Sequence, residues 1–416
     1  MGAAVTSLDD ELTRFWASEP DAIQDVFPFL ARLREGSPVH VHGDLVFVSE
    51  HEDCKRVLTD RRRFSNEFMA DHAGRVQRLG ASVDADHREA FEQIVELERM
   101  LTFHSDGEEH DRRRRALHRL FTPTRVAQFE DVTQAYFDEV LAEIEGDEVV
   151  DLAPWMRRLP SWVIAFLLGV PREDCPRLAE WVGPIAKNLH NVDHLDEAYA
   201  AGQRFQAYLD GLIEDHERHG REETELFAAI RAGAEGFGAM RLLGIFVEMN
   251  LGGVESTRGL LQGSLVALLE HRDQWDRLVA DPSLLPTAVE ELLRYVAPGL
   301  WTTRIPLAET ELRGVRIAPD QTIIVLVGGA NRDPAVFDDP EALDVGRPNA
   351  RQHLALGHGP HYCLGQALAR LELNVVLRTL LSRYPDLELV GPIVRSGGAQ
   401  NPAIDRIDVR LGRRVG

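Results

Sequence analysis

The stretch ALGHGPHYCLGQALAR, residues 355–370, places a single cysteine, Cys363, between a glycine-rich loop and the start of an amphipathic helix. Gly357, Gly359 and Gly365 predict a backbone that turns tightly and lies close against a flat partner. A thiol at a helix N-terminus faces unpaired N–H groups and the positive end of the helix dipole, which favours the thiolate. Most isolated cysteines are small core residues. This setting instead predicts a metal ligand or a nucleophile.

The remaining cysteines and the nearby histidine narrow that choice. Cys54 and Cys175 do not have zinc-finger spacing relative to Cys363, so a zinc site would lack ligands. A cysteine nucleophile needs a histidine base, and His361, two residues away on a glycine-rich loop, is poorly placed for that role. A single thiolate on a haem iron fits best. Three cysteines in the whole chain also argue against a disulfide framework and for a reducing compartment.

Length, charge and hydropathy limit the class of protein. The 416 residues contain no repeat or long linker, which predicts a single domain over residues 1–416. A formal net charge of −22 argues against a generic binder of nucleic acid or of anionic membranes, because phosphate surfaces require clustered Lys and Arg. The most apolar stretches, 162–170 and 322–330, are about half as long as a membrane span, and the N-terminus does not resemble a signal peptide. We therefore expect a soluble, cytoplasmic protein.

Helical periodicity dominates the chain. Long helices are predicted at 108–121, 126–145, 198–216, 236–270, 284–296 and 364–383. Strand-like alternation is confined to 39–49, 311–327 and the tail from 386 to 411. The pattern predicts a mainly α fold with a small mixed β subdomain assembled from both ends of the chain.

Three further segments carry candidate functional residues. In EELLRY, Glu291 and Arg294 are three residues apart, so an ion pair can form on one helix face. In GEEHDRRRRALHRLF, His110 and Arg114 are four residues apart and share a face. The segment EMNLGGVESTRGLL, residues 248–261, has two adjacent glycines inside a long apolar helix, at a cost of about 2 kcal/mol relative to alanines. Close helix–helix packing is one explanation for that glycine pair.

Together these motifs resemble, in order and spacing, those of the cytochrome P-450 superfamily, whose cysteine loop reads Phe-Gly-x-Gly-x-His-x-Cys-x-Gly. The resemblance covers essentially the whole chain and implies the cytochrome P-450 fold, a triangular helical prism, with haem b as cofactor and Cys363 as the axial ligand of its iron. Four residues match positions that bind the haem propionates: His110, Arg114, Arg304 and His361. Leu356 stands where the family usually has Phe, a change expected to open the pocket beside the sulfur.

The resemblance assigns two more groups of residues. The pair Glu291 and Arg294 joins Arg347, from a later segment, to brace the cysteine loop. Glu255 and Ser256 match an acid–alcohol pair that relays protons to bound dioxygen, and the preceding glycines make room for that oxygen. Ser256 replaces the usual Thr, so the hydroxyl is kept while its rotamer is less restrained.

The implied activity is that of a haem-thiolate monooxygenase, which inserts one oxygen atom from O2 into a C–H bond of a small organic metabolite in secondary metabolism. We expect a monomeric bacterial enzyme that receives electrons from a separate ferredoxin or flavodoxin, because no reductase segment follows Gly416. Three alternatives stay open. The first is an atypical oxidation such as nitration, ring coupling or desaturation. The second is peroxide-driven oxidation and the third is a non-catalytic haem sensor or binding module, and the acid–alcohol pair argues against both of these.

Substrate-facing positions follow from the same resemblance and fall in a loop at 85–104 and in the segments 245–256, 298–303 and 397–403. The candidates within them are Phe103, Met249, Asn250, Gly252, Trp301 and Gln400. This mixed lining predicts a bulky metabolite with an aromatic part and a few polar groups. On the cysteine side of the haem, Arg112, Arg113 and Arg115 form either a surface for an acidic redox partner or a solvated helix face.

Overall fold

Helices form most of the structure, a computed structural model that describes residues 7–68, 75–118, 121–144, 148–188, 194–219, 239–319 and 321–412. The helices of the first half are α1 (Leu8–Trp16), α2 (Pro20–Gln24), α3 (Phe27–Gly36), α4 (His51–Thr59), α5 (Arg75–Ala81), α6 (Arg88–Met100), α7 (Gly107–His118), α8 (Pro123–Ala127), α9 (Glu130–Ile144), α10 (Ala153–Leu168), α11 (Cys175–Asn188) and α12 (Leu195–His219). Those of the second half are α13 (Ala239–Asn250), α14 (Ser256–Glu270), α15 (Arg272–Ala280), α16 (Leu285–Val296), α17 (Val327–Ala330) and α18 (Gln366–Arg383).

The strands of the described ranges form four small sheets. They are β1 (Val39–His42), β2 (Leu45–Val48), β3 (Phe64–Ser65), β4 (Val149–Asp151), β5 (Thr302–Pro306), β6 (Thr310–Leu312), β7 (Val315–Ile317), β8 (Thr322–Val325), β9 (Glu388–Leu389), β10 (Val394–Ser396), β11 (Ala403–Arg406) and β12 (Asp408–Arg410). The largest sheet has the order β1-β2-β8-β5-β3, in which β2 and β8 are parallel and the other neighbours antiparallel. Its central strand β8 is buried along its whole length, consistent with its continuous apolar sequence.

The prediction of a mainly α fold with a small β portion is confirmed. Each predicted long helix contains helices of the structure, although 126–145 divides into α8 and α9. Residues 119–120, 145 and 236–238 of those predictions lie outside the described residues. The tail strands do not join the main sheet. Instead β12 pairs with β4 and β9, and β10 pairs with β11.

One segment differs from its prediction. Residues 85–104, expected as a loop, contain the helix α6, followed by a single 3₁₀ turn at Thr102–His104. The apolar residues Phe91, Ile94 and Val95 recur at helical spacing and are buried in a cluster with Leu195 and Ala198 of α12. The segment expected to be a loop is therefore mostly a packed helix.

The longest helical unit runs through the centre of the main core. α13 continues through one π-helical turn, Leu251–Glu255, into α14. Buried apolar side chains occur on every face of α14, which is typical of a core helix. Within the described ranges, no helix has both the length and the apolar composition needed to cross a membrane.

A buried ion-pair cluster on α16 fixes the segment that leads to the cysteine loop. Oε1 of Glu291 accepts hydrogen bonds from Arg294 Nη2 at 2.8 Å and from Arg347 Nε at 3.0 Å, and Oε2 accepts from Arg294 Nε at 2.8 Å. The two arginines donate their other N–H groups to backbone carbonyls between residues 331 and 342. All three residues are at most 6 % exposed. Such a network is costly to break, because removing one partner leaves a buried charge without its counter-charge.

The cluster is connected to the entry of the cysteine loop through its neighbours. The side-chain oxygen of Asn331 accepts a hydrogen bond from the backbone N–H of Leu354 at 2.7 Å. Glu290, next to Glu291, contacts His353 at 3.2 Å and Arg370 of α18 at 2.8 Å. Burial raises the pKa of Glu290, but hydrogen bonds from His353 and Arg370 outweigh it and hold that pKa at about 2. The loop is thus held from both of its ends.

We expect Glu291→Gln to lower the free energy of unfolding of the holoprotein by about 3–5 kcal/mol, because a neutral amide leaves two buried guanidinium groups without a counter-charge. The measurement is chemical denaturation followed by far-UV circular dichroism and haem absorbance. Glu311→Gln, the same change at an exposed carboxylate on β6, is the control and should have little effect. Equal stability of the two variants would contradict the proposed importance of the cluster.

Candidate functional site

A cavity of about 370 Å³ lies between the segment around Cys363, α7, the centre of the long helix and the start of β5. Cys363 lines it together with the four residues predicted to bind propionates: His110, Arg114, Arg304 and His361. These side chains come from parts of the chain that are up to 253 residues apart, from 110 to 363. The fold therefore collects one thiol, two guanidinium groups and two imidazoles around one space.

The backbone conformation of the cysteine loop explains why it contains glycines. The backbone N–H of Cys363 donates to the carbonyl of Leu356 at 2.8 Å and closes the loop on itself. Gly357 and Gly359 have φ of +72° and +73°, a left-handed conformation that glycine adopts without strain. A Cβ at Gly359 would also lie 3.1 Å from the carbonyl oxygen of Leu58 at the end of α4. The loop can therefore turn tightly and approach α4 closely.

The sulfur of Cys363 lies just before the first turn of α18 and accepts a hydrogen bond from the backbone N–H of Gly365. Burial nevertheless raises the pKa of the Cys363 thiol above its ordinary value, and the lowering effects of Gly365 and Arg114 are smaller. The helix start by itself does not produce a thiolate, contrary to the expectation from sequence. A coordinated metal ion deprotonates such a thiol outright, so this buried sulfur fits a metal ligand.

Two guanidinium groups in the cavity wall, Arg304 buried and Arg114 half-buried, form no ion pair with a carboxylate of the described residues. Arg304 is 4 % exposed and donates to the carbonyl of Thr303 at 2.7 Å, while Arg114 donates to the carbonyl of Tyr362. In the part of the chain that the structure describes, neither has a carboxylate within ion-pair distance. Burial lowers the pKa of Arg304 to about 10 and lowers the pKa of Arg114 as well. Two desolvated cations of this kind fit a ligand with two carboxylates, which the propionates of haem b provide.

The two histidines lie side by side in the same wall. The ring centroids of His110 and His361 are 4.1 Å apart, and Nε2 of His361 lies 2.9 Å from Oδ1 of Asp106. Burial lowers the pKa of both imidazoles, and the nearby charge of Arg114 lowers it further. The rings are therefore mostly neutral at pH 7, and the positive charge of the wall belongs to the two arginines.

Asp106 is a site residue that the sequence did not indicate. Besides its contact with His361, its carboxylate accepts hydrogen bonds from Ser65 Oγ and from the backbone N–H of Asn66, each at 2.7 Å. Burial raises the pKa of Asp106, and these partners together bring it below its ordinary value. Because every partner is 40 or more residues away, the local sequence SDGEEH contains no signal for this role.

The two adjacent glycines of the long helix have different surroundings. A Cβ at Gly253 would lie 2.4 Å from Cδ1 of Ile164 on α10, so this glycine permits close helix packing. A Cβ at Gly252 would meet nothing within 4 Å, and Gly252 borders the cavity. Both explanations for the glycine pair therefore apply: Gly253 permits close helix packing, and Gly252 provides open space at the cavity.

Ser256 and Glu255 follow these glycines but point in different directions. Ser256 lines the cavity, and its Oγ donates a hydrogen bond to the carbonyl of Gly252 one turn earlier, next to the π turn. Glu255 is absent from the cavity wall. Its partly exposed carboxylate contacts Arg157 at 3.4 Å and Arg258 at 2.5 Å. The fold thus brings the alcohol of the predicted pair to the cavity and leaves the acid near the surface.

The candidate substrate residues divide in the same way. Four of them line the cavity: Phe103, Met249, Gly252 and Trp301. Asn250 and Gln400 do not. The amide of Asn250 donates to the carbonyl of Phe246 at 2.9 Å, and that of Gln400 donates to the carbonyl of Trp301 at 3.3 Å. In this structure both amides support backbone next to the cavity.

A buried acid holds the part of the cavity wall that carries Phe103. Glu248 of α13 accepts hydrogen bonds from the backbone N–H of Thr102 at 2.5 Å and from its Oγ1 at 2.9 Å. Arg241, also buried, lies 3.6 Å from the same carboxylate and donates to the carbonyl of Met100. Burial raises the pKa of Glu248, with Arg241 the largest opposing influence. The segment after α6 is therefore fastened to the long helix by charge-assisted hydrogen bonds.

The arginines beside Arg114 do not share one environment. Arg113 is 5 % exposed, and its guanidinium contacts Glu109 at 2.8 Å. Its assignment to a partner-binding surface is therefore wrong, because each helical residue is rotated by about 100° from the one before it and Arg113 faces the core. Arg112 and Arg115 are exposed and remain candidates for that surface.

Glu372 is a second site residue that the sequence did not indicate. It lies on α18, is 1 % exposed and lines the cavity, and its Oε2 accepts no hydrogen bond within the described ranges. Burial raises the pKa of Glu372 to about 8, so the carboxyl group is mostly protonated at pH 7. Its position four residues after Leu368 and four before Val376, both buried, is the signal that it belongs to the core face of the helix.

Comparisons with known proteins agree on one family. The sequence model described as Cytochrome P450 matches residues 42–389. Cytochrome P450 105A3 of Streptomyces carbophilus is 34 % identical over 383 residues, covering 90 % of this chain and 85 % of that protein. The 6-deoxyerythronolide B hydroxylase of Saccharopolyspora erythraea is 32 % identical over 403 residues, covering 93 % and 96 %. The solved structure of CxnD, a cytochrome P450 enzyme for C–S bond formation in chuangxinmycin biosynthesis, is similar with a TM-score of 0.83 at 28 % identity, covering 97 % of each chain.

We expect Glu372→Gln to change how stability depends on pH. In the wild type the unfolded carboxyl group ionises near its ordinary pKa of 4.5, whereas the folded one keeps its proton up to about pH 8, so stability falls as pH rises between these values. Glutamine does not titrate. As pH rises through that window, the free energy of unfolding of the variant should therefore increase relative to that of the wild type by up to about 1.4 kcal/mol per pH unit. Denaturation of the holoproteins at several pH values measures this difference. A difference that stays constant between pH 5 and pH 8 would contradict the assignment.

Proposed function

Because the chain belongs to the cytochrome P450 family, we propose that Cys363 binds the iron of haem b and that the adjoining cavity accepts the substrate. Members of this family are monooxygenases that hold haem b through a cysteine thiolate and use O2, a redox partner and a small-molecule substrate, and this chain is such an enzyme. The observation that carries the site assignment is the convergence of Cys363 with buried Arg304 and half-buried Arg114, two cations that form no ion pair within the described residues.

The roles of the residues follow from their positions. Haem b, when bound, supplies the redox chemistry that activates O2. Cys363 donates electron density as a thiolate, and His110, Arg114, Arg304 and His361 hold the propionates. Gly252 leaves open space at the cavity wall, where a larger residue would exclude a diatomic ligand.

Ser256 is the proposed proton donor at the cavity. Its Oγ–H is donated to the carbonyl of Gly252 in the resting geometry, and rotation about χ1 turns it toward the cavity. Serine makes this rotation more freely than threonine, which has a second substituent on Cβ. Glu255, partly exposed between Arg157 and Arg258 one position earlier, resupplies the proton from the surface side of the helix.

We place the substrate among small organic metabolites of bacterial secondary metabolism, and the enzyme in the cytoplasm as a monomer. The cavity wall presents Phe103, Met249 and Trp301, and the indole Nε1–H of Trp301 is buried without an acceptor within the described residues. A carbonyl or ether oxygen on an otherwise apolar, partly aromatic molecule would satisfy that donor. Asn250 and Gln400 contribute by supporting the backbone beside it.

An atypical oxidation at the same site is the second candidate function. It is favoured by Ser256, which keeps the hydroxyl but not the methyl of the usual Thr, and by the similarity to CxnD, an enzyme of C–S bond formation. Product analysis by mass spectrometry in ¹⁸O2 separates the two candidates. A product that gains one labelled oxygen atom is expected for hydroxylation, whereas a coupled or desaturated product without the label indicates the alternative. Turnover with peroxide alone, without a redox partner, would indicate the peroxide-driven route.

The electron donor is proposed to be a separate ferredoxin or flavodoxin that docks beside α7. Arg114 contacts the carbonyl of Tyr362 next to Cys363, so α7 lies against the cysteine loop. Arg112 and Arg115 extend from the exposed face of the same helix on a chain whose net charge is −22. Local positive charge of this kind selects an acidic partner by electrostatic steering.

Ser256→Ala tests the proposed monooxygenation chemistry. The variant should bind haem and substrate but divert reducing equivalents to hydrogen peroxide, because without the Oγ–H the proton is delivered to the wrong place. The measurement is the ratio of product and peroxide formed to NAD(P)H consumed, with a surrogate ferredoxin system. Undiminished coupling in this variant would refute the role of the hydroxyl.

Two further variants sharpen the Ser256 experiment. Ser161→Ala removes a serine that makes the same hydrogen bond to the carbonyl one turn earlier, at 2.9 Å, on α10 and outside the cavity wall, so its coupling should equal that of the wild type. Ser256→Thr restores the usual residue. Better coupling would show that serine is a tolerated substitute, and loss of product with intact substrate binding would show that the extra room serves this enzyme's own reaction.

Charge reversal at Arg115 tests the docking surface. Arg115→Glu should slow reduction of the haem iron by the donor several-fold at low ionic strength and much less at high salt, because the attraction is screened. Stopped-flow reduction under carbon monoxide measures this rate. Arg218→Glu, the same change at an exposed position on α12, is the control. Equal rates for both variants at low salt would favour a solvated helix face without a docking role.

A further inference from the structure

A second cluster of ligating side chains lies far in sequence from the haem site, at the N-terminal end of the described chain. His40 and His42 occupy alternate positions on β1, so their side chains leave the same face of the strand. Asp9, in the first turn of α1, lies across from them. Its Oδ1 is 2.8 Å from Nε2 of His40 and 3.1 Å from Nδ1 of His42. Two imidazoles and a carboxylate thus converge on one point.

The ring of His42 is held in a way that suits a metal ligand. Its Nε2 lies 3.4 Å from Oγ1 of Thr13, and that hydroxyl donates to the carbonyl of Asp9 at 2.8 Å. Because the hydroxyl proton is already used, Oγ1 accepts from Nε2–H, so Nδ1 of His42, which contacts Asp9 in this structure, is the nitrogen that can give up its proton and bind an ion. Ligating histidines commonly have this arrangement, in which the second nitrogen donates to a neighbouring oxygen and fixes the tautomer.

The distances also suit coordination. One nitrogen or oxygen atom from each of the three residues can be chosen so that all three atoms lie within 4.8 Å of one another. Zinc bonds to nitrogen and oxygen are about 2.0–2.2 Å, so tetrahedral ligand atoms are separated by roughly 3.3 Å, within a few tenths of an ångström of the two contacts to Asp9. Imidazole nitrogen favours transition-metal ions over Mg²⁺ and Ca²⁺, which prefer oxygen ligands.

We propose that Asp9, His40 and His42 bind one divalent transition-metal ion, with Zn²⁺ the best match, and leave a fourth position for water. The three residues range from half-buried to exposed, so the ion can reach the site directly from solvent. The ion joins α1 to the edge strand β1. It thereby constrains Trp16, the last residue of α1, whose ring lies 5.1 Å from that of Trp301 in the wall of the substrate cavity.

Another histidine offers a matched control. His87 also contacts two carboxylates, Asp84 at 2.5 Å and Asp196 at 3.1 Å, but through its two different ring nitrogens. Those nitrogens lie on different edges of the imidazole, so the two carboxylates and the ring cannot share one ion. His87→Ala therefore removes a somewhat more exposed histidine–carboxylate group that has no capacity for three-ligand coordination.

The test is isothermal titration of the tag-free, metal-stripped holoprotein with Zn²⁺, supported by elemental analysis after dialysis. The wild type and His87→Ala should each bind one equivalent with the same affinity. Affinity should fall at least about tenfold in His40→Ala and His42→Ala, and about tenfold in Thr13→Val, which removes only the supporting hydroxyl. Zn²⁺ should also slow hydrogen exchange of the backbone amides in 8–16 in the wild type but not in His42→Ala.

Haem absorbance and circular dichroism of each variant establish that it is folded, so a lost site is distinguishable from a lost fold. Binding of less than one equivalent by the wild type would overturn the proposal. Unchanged affinity in both His40→Ala and His42→Ala would also overturn it, because the zinc would then be bound at other residues. If His87→Ala lost as much Zn²⁺ affinity as His42→Ala, the binding would be nonspecific surface binding, and this result would also overturn the proposal.

Discussion

The position of the cysteine loop depends on one buried carboxylate. Glu291 is fully buried and forms ion pairs with both Arg294 and Arg347, which come from segments more than fifty residues apart. Both arginines then use their remaining donors on backbone carbonyls between 331 and 342, which gives a stretch without long helices or strands a fixed path. Asn331 extends this order to Leu354. The location of the sulfur of Cys363 is therefore determined partly by an ion-pair cluster centred on another helix.

The cavity wall differs from the Glu291 cluster, because its two arginines form no ion pair with a carboxylate of the described residues. Burial desolvates Arg304 and partly desolvates Arg114, and the charge of Asp106, a carboxylate held by Ser65, Asn66 and His361, acts on Arg304. A dicarboxylate cofactor completes the balance, so haem binding should stabilise the folded state by more than its axial bond alone. The neutral imidazoles add hydrogen-bonding capacity to this wall without adding repulsion between like charges.

Neighbouring residues in the centre of the long helix face different surroundings. Gly253 allows α10 to pack closely, while its neighbour Gly252 borders open space, and the π turn changes the direction of the side chains that follow. Ser256 consequently faces the cavity and Glu255 does not. The acid that the fold does bring to the cavity is Glu372 on α18, kept mostly neutral at pH 7 by its burial.

The sequence by itself determined the fold class, the family and the positions of the long helices, because these depend on local periodicity and on motifs of a few residues. It also indicated Cys363 and the four donors around it. Only the tertiary structure decided which of two adjacent residues is buried, as with buried Arg113 beside exposed Arg112. It also showed that residues 85–104 contain a packed helix. Asp106 and Glu372 became visible only there, because their roles arise from burial and from partners distant along the chain. Local sequence patterns carry no information about desolvation or long-range contacts, and these two effects shift the pKa values of Asp106, Arg304 and Glu372 in this site.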